Sequence, residues 1–245
     1  MQVVERGGPG EGTTDSWWGR AEVLVKHNGD HPNVVVNEFV CNRLALLLGL
    51  PATLGDIWID EDGVKHWVCA AVRSNGTELP PASPDELLRV DSELRANVVV
   101  FDIWVHNTDR SEENLLSDRK GGIWLIDHEQ ALFGDIQEDR ARGISSTRER
   151  KNGFSVLLED APPPRDAISK AASKLRYTVD NRAVKAVSGD ARRRGLVNAA
   201  EERAMVDFLL HRRDHMTRLL DGTGSMPRLS PVPGTLDFSQ AGGQA

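Results

Sequence analysis

The stretch "VHNTDRSEENLLSDRKGGIWLIDHEQAL", from Val105 to Leu132, decides how the rest of the chain is read. Asp109 is followed five positions later by Asn114. Thirteen positions further on, Asp127 closes the apolar run "GIWLI". Taken singly, Asp109 and Asn114 read as loop caps and Asp127 as the cap of a strand end. The spacing joins them. "NLL" and "GIWLID" flank the turn-rich "SDRKGG", the pattern of a short hairpin, and a hairpin returns its two ends to one place. Asn114 and Asp127 can then face a single cation. Amide and carboxylate oxygens are hard ligands, which suit magnesium rather than zinc.

Phosphoryl transfer asks little covalent work of a protein. It needs a carboxylate for the acceptor hydroxyl, oxygen ligands for magnesium and a cation on the phosphates. Asp109 supplies the first and the hairpin ends the second. For the third, Lys26 ends the alternating, Val-rich "RAEVLVK" of residues 20–26, read as a strand. Glu38, expected in the first turn of the following helix, could hold Lys26 in place. The structural alternative is an ordinary first-turn carboxylate favoured by the helix dipole.

Composition sets the outer bounds. The 245 residues suffice for one large domain or two small lobes. Hydrophobic content is 39% and mean hydropathy is -0.40, values of a soluble globular chain. The longest apolar stretch, "LALLLGLPA" (44–52), is too short to span a bilayer, and "MQVVERGGPGEG" has no signal-peptide pattern. Cys41 and Cys69 lack CxxC spacing and read as buried free thiols, so a cytoplasmic location is expected. Residues 1–140 carry 12 Lys+Arg against 25 Asp+Glu, and residues 141–245 carry 18 against 12. The acidic first part argues against direct nucleic-acid binding, and the basic part reads as a solvated helical surface.

A helix period runs through "VVNEFVCNRLALLLG" at positions 36, 39, 40, 44, 47 and 48, ended by Gly49 and Pro51. "GDIWID" and "VKHWVCAAV" read as strands around the turn "EDG". "RSNGTELPPASP" reads as a linker. Ser83, Pro84 and Glu86 open a helix with a capping box, expected to continue to about His106. Residues 135–155 read as charged and irregular; Ser145, Ser146 and Thr147 there offer hydroxyls for phosphorylation beside basic residues, but the simpler expectation is an unmodified mobile loop. The remainder is helical, ending in "NAAEERAMVDFLLHRRDHMTRLL" capped by Asn198. His211 and His215, four apart, lack a third metal ligand. The expected architecture is α+β: a strand-rich part with one helix (1–76), a linker (77–84), a larger helical part (85–220) and a Gly-, Pro- and Ser-rich disordered tail (221–245).

The sequence resembles the HipA-like kinases, particularly compact stand-alone members, and more distantly the phosphatidylinositol 3- and 4-kinases. The resemblance rests on "VLVK", "NEFVCNRLALLLGLPA", "FDIWVHNTDRSEENLL", "WLIDHEQAL" and "LLHRRDHMTRLL", and covers roughly residues 20–220. It implies a two-lobed protein-kinase-like fold, a small strand-rich N-lobe over a larger helical C-lobe, with ATP in the cleft. Lys26 would contact phosphate and Glu38 orient it. Asp109 would be the catalytic base, and Asn114 and Asp127 would hold magnesium. His128 stands where the usual Asp-Phe-Gly triplet has Phe. Asp102, Trp104 and Asn107 would position the catalytic loop. Arg110 would neutralise either the carboxylates or a phosphate. By the same resemblance adenine would lie against Val68, Ala70 and Val72. The chain departs from the pattern at "GGPGEGTTDSWWG", which does not match G-x-G-x-x-G. That segment offers either backbone N–H groups near Thr13, Thr14 and Ser16 or a plain disordered start. The implied activity is magnesium- and ATP-dependent transfer to a Ser/Thr hydroxyl of a protein. A lipid or small-molecule kinase and a pseudokinase acting as a binding module are the alternatives.

Overall fold

The computed structural model describes residues 3–10, 15–74, 77–118, 122–151 and 154–221. Its N-terminal strands, β1 (Val3–Pro9) and β2 (Trp17–Ala21), form an antiparallel hairpin. The Gly10 N–H donates to the Ser16 carbonyl at 2.8 Å where the two arms meet the tip. Thr13 and Thr14 lie outside the described residues, and Ser16 stands at the foot of the returning arm. The strand expected over 20–26 is divided in two. β2 ends at Ala21, and β3 (Val23–His27) joins a different sheet.

β3 leads into helix α1 (Val34–Leu47), followed by β4 (Gly55–Ile59) and β5 (Lys65–Ala70). The three strands make one antiparallel sheet in the order β3-β5-β4, with Lys26 opposite Trp67 and Ile57 opposite Trp67 on the other side. The β4–β5 turn follows from Asp60, whose Oδ1 accepts the N–H groups of Asp62 and Val64 at 3.0 and 2.8 Å, and from Gly63 at φ +79°. Gly55 is required by close approach, since a Cβ there would lie 2.4 Å from the Trp67 ring.

Helix α1 departs most from its pattern. The apolar stripe predicts one buried face. Instead Asn37, Glu38, Cys41 and Asn42 are buried along with Val36, Phe39, Val40 and Leu44, while Leu47 is exposed. The helix is enclosed by the sheet on one side and by the helical lobe on the other, so both faces meet protein. It also begins at Val34, with Asn28 Oδ1 accepting from the Val35 N–H at 3.0 Å. Glu38 therefore lies beyond the first turn, and the helix dipole does not account for it.

Where "RSNGTELPPASP" reads as a linker, β6 (Arg73–Ser74) and β7 (Thr77–Glu78) pair as a small ladder. Helix α2 (Pro84–Arg89) carries the Ser83–Glu86 capping box but stops after six residues. Val90 is extended, and Asp91 caps a second helix, α3 (Ser92–Val105), accepting from the N–H groups of Glu93 and Leu94. The single helix expected to His106 is thus two, because Asp91 offers the chain a second cap. α3 is the spine of the larger lobe: Val98, Phe101, Ile103, Trp104 and Val105 are all fully buried.

After α3 come β8 (Asp109–Arg110), a 3-10 turn at Glu112–Asn114, and the antiparallel pair β9 (Leu115–Ser117) and β10 (Ile123–Leu125). The region expected to be irregular contains a helix, α4 (Arg140–Thr147), capped by Asp139 and held by the buried Ile144. Ser145 and Ser146 are exposed there, but their hydroxyls donate to the Ala141 and Gly143 carbonyls, while Thr147 is buried. β11 (Phe154–Ser155) pairs in parallel with β8. Helices α5 (Val156–Glu159), α6 (Arg165–Thr178), α7 (Asn181–Arg193), α8 (Ala199–Asp214) and α9 (Met216–Leu220) complete the lobe. Asn198 caps α8 with a capping box to Glu201, and the final helix expected from the sequence breaks at His215. Among the described residues no helix is long and apolar enough to cross a membrane. Both cysteines are free and buried.

Candidate active site

The loop after α3 is built around a buried carboxylate. His106 ends the helix in the left-handed region at φ 55°, and the chain turns back on itself. Asp102, one turn inside the helix, accepts from Asn107 Nδ2 at 3.1 Å and from Arg110 Nε and NH2, each at 3.0 Å. Arg110 is wholly buried, and its NH1 donates to the carbonyls of Asn114 and Ile126, both at 2.8 Å. These are charge-assisted bonds to fixed backbone, so the guanidinium acts as a brace. Asp109, next to it, is exposed. The Asp109 N–H donates to Asn107 Oδ1 at 3.3 Å and its carbonyl accepts from Asn114 Nδ2 at 2.7 Å.

The hairpin brings Asn114 and Asp127 together. Leu115 pairs with Leu125, and one step beyond the ladder the Ile126 N–H donates to the Asn114 carbonyl at 3.3 Å. Asp127 sits at φ 58°, a left-handed conformation that costs a non-glycine residue on the order of 1 kcal/mol and persists only where its surroundings impose it. Both flanking peptides are held. The Ile126 carbonyl accepts from Arg110, and the His128 N–H donates to Glu38 Oε1 at 3.2 Å.

Lys26 completes the constellation from the other lobe. Its Nζ lies 2.6 Å from Glu38 Oε1 and 3.0 Å from Asp127 Oδ1. Burial alone would lower the Lys26 pKa, but Glu38 and Asp127 outweigh it and the net shift is upward. Burial alone would raise the Glu38 carboxyl. The hydrogen bond and charge of His128, and those of Lys26, overcome it and hold Glu38 at about 2. His128 is buried, with Nδ1 3.4 Å from Glu38 Oε2 and its ring edge-on to Phe101. Glu38 thus bridges the lysine and the segment that carries Asp127.

Two asparagines on and before α1 strengthen that bridge. Asn37 donates to the Glu129 carbonyl at 2.6 Å and accepts from the Phe133 N–H at 3.3 Å. Asn33 donates to the Gly134 and Ile136 carbonyls at 3.0 and 2.7 Å, and accepts from Arg140, which is itself paired with Glu201 on α8. Neither asparagine is distinguished in the sequence. A polar residue within an apolar helix pattern was the one available signal.

A cavity of about 460 Å³ opens beside this group. Its wall includes Val23 and Leu24 of β3, Cys69 to Val72, Glu78 and Leu79, with Leu116 and Ile126 of the other lobe as its floor. Of the three positions expected against adenine, Ala70 and Val72 lie in this wall and Val68 does not. Val68 shares a face of β5 with Ala70, but the cavity meets only the end of the strand, at Cys69 and Ala70, and Val68 lies further back. The volume and the apolar lining with a few polar groups suit a nucleoside-sized ligand.

Among the described residues, no group of three or more His, Cys, Asp and Glu forms a metal centre. Magnesium does not require one, since it is commonly bound through one or two protein oxygens together with waters and phosphates. Asn114 commits its N–H donor to the Asp109 backbone, which leaves the amide oxygen as its ligand atom. Asp127 Oδ1 serves Lys26 and, at 3.4 Å, the Glu129 N–H. Two hard oxygens on adjoining backbone fit a magnesium–phosphate unit. His211 and His215 stack at 4.1 Å, and His211 pairs with Glu149 on the helical surface.

A strand-rich lobe over a helical lobe, a lysine–glutamate pair reaching an aspartate on a hairpin, and a cavity between them define a protein-kinase-like molecule. A family model described as HipA-like kinase matches residues 20–155, and the chain belongs to that family. Among solved structures it is similar to the Helicobacter pylori proinflammatory kinase CtkA, with 11% identity and a TM-score of 0.58, over 81% of this chain and 90% of that one. HipA of Shewanella oneidensis MR-1, solved as a toxin–antitoxin complex with HipB and operator DNA, has 12% identity and a TM-score of 0.44, over 89% of this chain and 66% of that one. No curated protein matches the sequence.

Proposed function

We propose that this protein is an ATP- and magnesium-dependent kinase that transfers the γ-phosphate to a Ser/Thr hydroxyl of a protein. The observation that carries the reading is Lys26 Nζ, held between Glu38 and Asp127 at 2.6 and 3.0 Å beside the nucleoside-sized cavity. In this reading residues 1–76 cover the nucleotide, 77–84 join the lobes and 85–220 carry the catalytic loop. Ala70, Val72 and their neighbours enclose adenine. Lys26, aimed by Glu38, offers its ammonium to phosphate. Asp109, exposed at the loop's outer edge, aligns the acceptor hydroxyl and takes its proton at the carboxylate. Asn114 and Asp127 hold magnesium, which when bound offsets the charge of the transferring group. The side chains of Lys26, Asn114 and Asp127 are each held by a hydrogen bond or ion pair, and the backbone of Asp109 is fixed on both sides by Asn107 and Asn114, which limits reorganisation during the reaction.

The test is incubation of the purified protein with labelled ATP and magnesium in host lysate, followed by mass spectrometry of the labelled species. Phosphoserine or phosphothreonine on a protein, absent with Asp109→Asn, is the expected result. Label confined to lipid or small molecules moves the acceptor class. Magnesium-dependent ATP binding without any transfer makes the molecule a binding module.

A further inference from the structure

We propose that Arg110 is a positioning residue: it sets the register between Asn114 and Asp127, so that magnesium affinity depends on a side chain that touches neither metal nor nucleotide. The inference rests on the kinase reading above and concerns the same site. A guanidinium among carboxylates beside a phosphate site could equally neutralise charge. Its burial decides against that role. Arg110 is 0% exposed, and its bonds run to Asp102 and to two backbone carbonyls. Of the acceptor residues only Ile126 lines the cavity, and Arg110 itself does not reach it.

The geometry of those bonds is specific. The Nε and NH2 edge lies on Asp102, a residue of the rigid, fully packed α3. NH1 then bridges the Asn114 and Ile126 carbonyls at the same distance, 2.8 Å. One of these carbonyls belongs to a proposed magnesium ligand, and the other immediately precedes the second ligand, Asp127. A single planar group therefore references both arms of the hairpin to one helix. Beyond Ile126 the chain must take the left-handed turn at Asp127, which aims the carboxylate. Magnesium demands nearly ideal octahedral geometry, so a small slip between the arms costs affinity directly. Lysine keeps the charge but presents its donors from a point and cannot span the carboxylate and both carbonyls.

The test compares wild type with Arg110→Lys, and with Asp102→Asn, which keeps volume and one acceptor oxygen and guards against a variant that does not fold. Each protein is first shown to melt cooperatively. Magnesium is then titrated at fixed ATP and followed by thermal shift and calorimetry, with ATP binding in EDTA as the control. The half-saturating magnesium concentration is expected to rise about 10- to 100-fold in Arg110→Lys, the usual effect of losing the group that orients a metal ligand. Asp102→Asn is expected to move it in the same direction, ATP binding in EDTA to stay near wild type, and turnover to recover at high magnesium. Folded variants with wild-type magnesium dependence would overturn the inference and reduce Arg110 to a stabilising brace. A wild type whose ATP binding ignores magnesium would overturn the kinase reading, and this inference with it.

Discussion

Replacing Glu38 by Gln isolates the electrostatic centre of the site. The carboxylate is buried, and its pKa stands at about 2 against an ordinary value of 4.5. A depression of this size makes the ionised form worth about 3 kcal/mol to the folded state at neutral pH. The folded pKa is depressed, so this contribution is complete above pH 5 and is lost as the pH falls toward 2. At pH 3 roughly half of it should remain. Glu38→Gln keeps the shape but not the charge, and Lys26 retains Asp127 at 3.0 Å. Destabilisation of about 2–3 kcal/mol at pH 7 is therefore expected, at the lower edge of what breaking a buried pair costs. Urea denaturation of both proteins at pH 7, 5, 4 and 3 reads it directly. The gap between the two curves should be constant from pH 7 to 5 and shrink by about half at pH 3. A gap below about 0.5 kcal/mol at pH 7, or one independent of pH, would refute the electrostatic assignment. Because the amide oxygen of the Glu38→Gln variant can still accept from the His128 N–H, the double variant with Lys26→Ala should lose little more turnover than Lys26→Ala alone.

Asp109→Asn should preserve the fold and magnesium-dependent ATP binding while reducing transfer about 10²- to 10⁴-fold, measured under single turnover, because the hydroxyl loses its proton acceptor. Asp127→Ala should remove the magnesium-dependent part of the ATP thermal shift. The shift grows as RT ln(1 + [L]/Kd), so its absence at high ATP is decisive. Arg212 on α8 is fully buried and donates to the carbonyls of Ile103, Trp104, Arg148 and Arg150, with burial lowering its pKa to about 10. Arg212→Met should cost about 3 kcal/mol in urea, with nucleotide affinity unchanged in the folded fraction.

The chain's local chemistry carried much of this. Ser83 with Glu86 and Asn198 with Glu201 form their capping boxes, since a cap is an interaction over three residues and needs no distant partner. The Asp60–Gly63 turn and the 115–125 hairpin are likewise local, and the hairpin is what makes the Asp109, Asn114 and Asp127 spacing readable. Where two local signals compete, pattern alone misled. Asp91 cut the helix expected from Ser83 to His106, and Asp139 with Ile144 made a helix in a stretch that looked irregular.

What the sequence by itself determined, then, is a set of chemically competent residues and the short elements that carry them: Lys26 on a strand, Glu38 on a helix, and Asn114 and Asp127 at the two ends of one hairpin. Only the tertiary structure decided how they are held. Arg110 spans Asp102, Asn114 and Ile126, Asn33 and Asn37 tie α1 to residues 129–136, and β5 meets the cavity at Cys69 and Ala70 but not at Val68. Such contacts join residues up to 103 positions apart. A buried polar side chain is satisfied by whichever backbone group the fold brings to it, and periodicity within a segment holds no record of that partner.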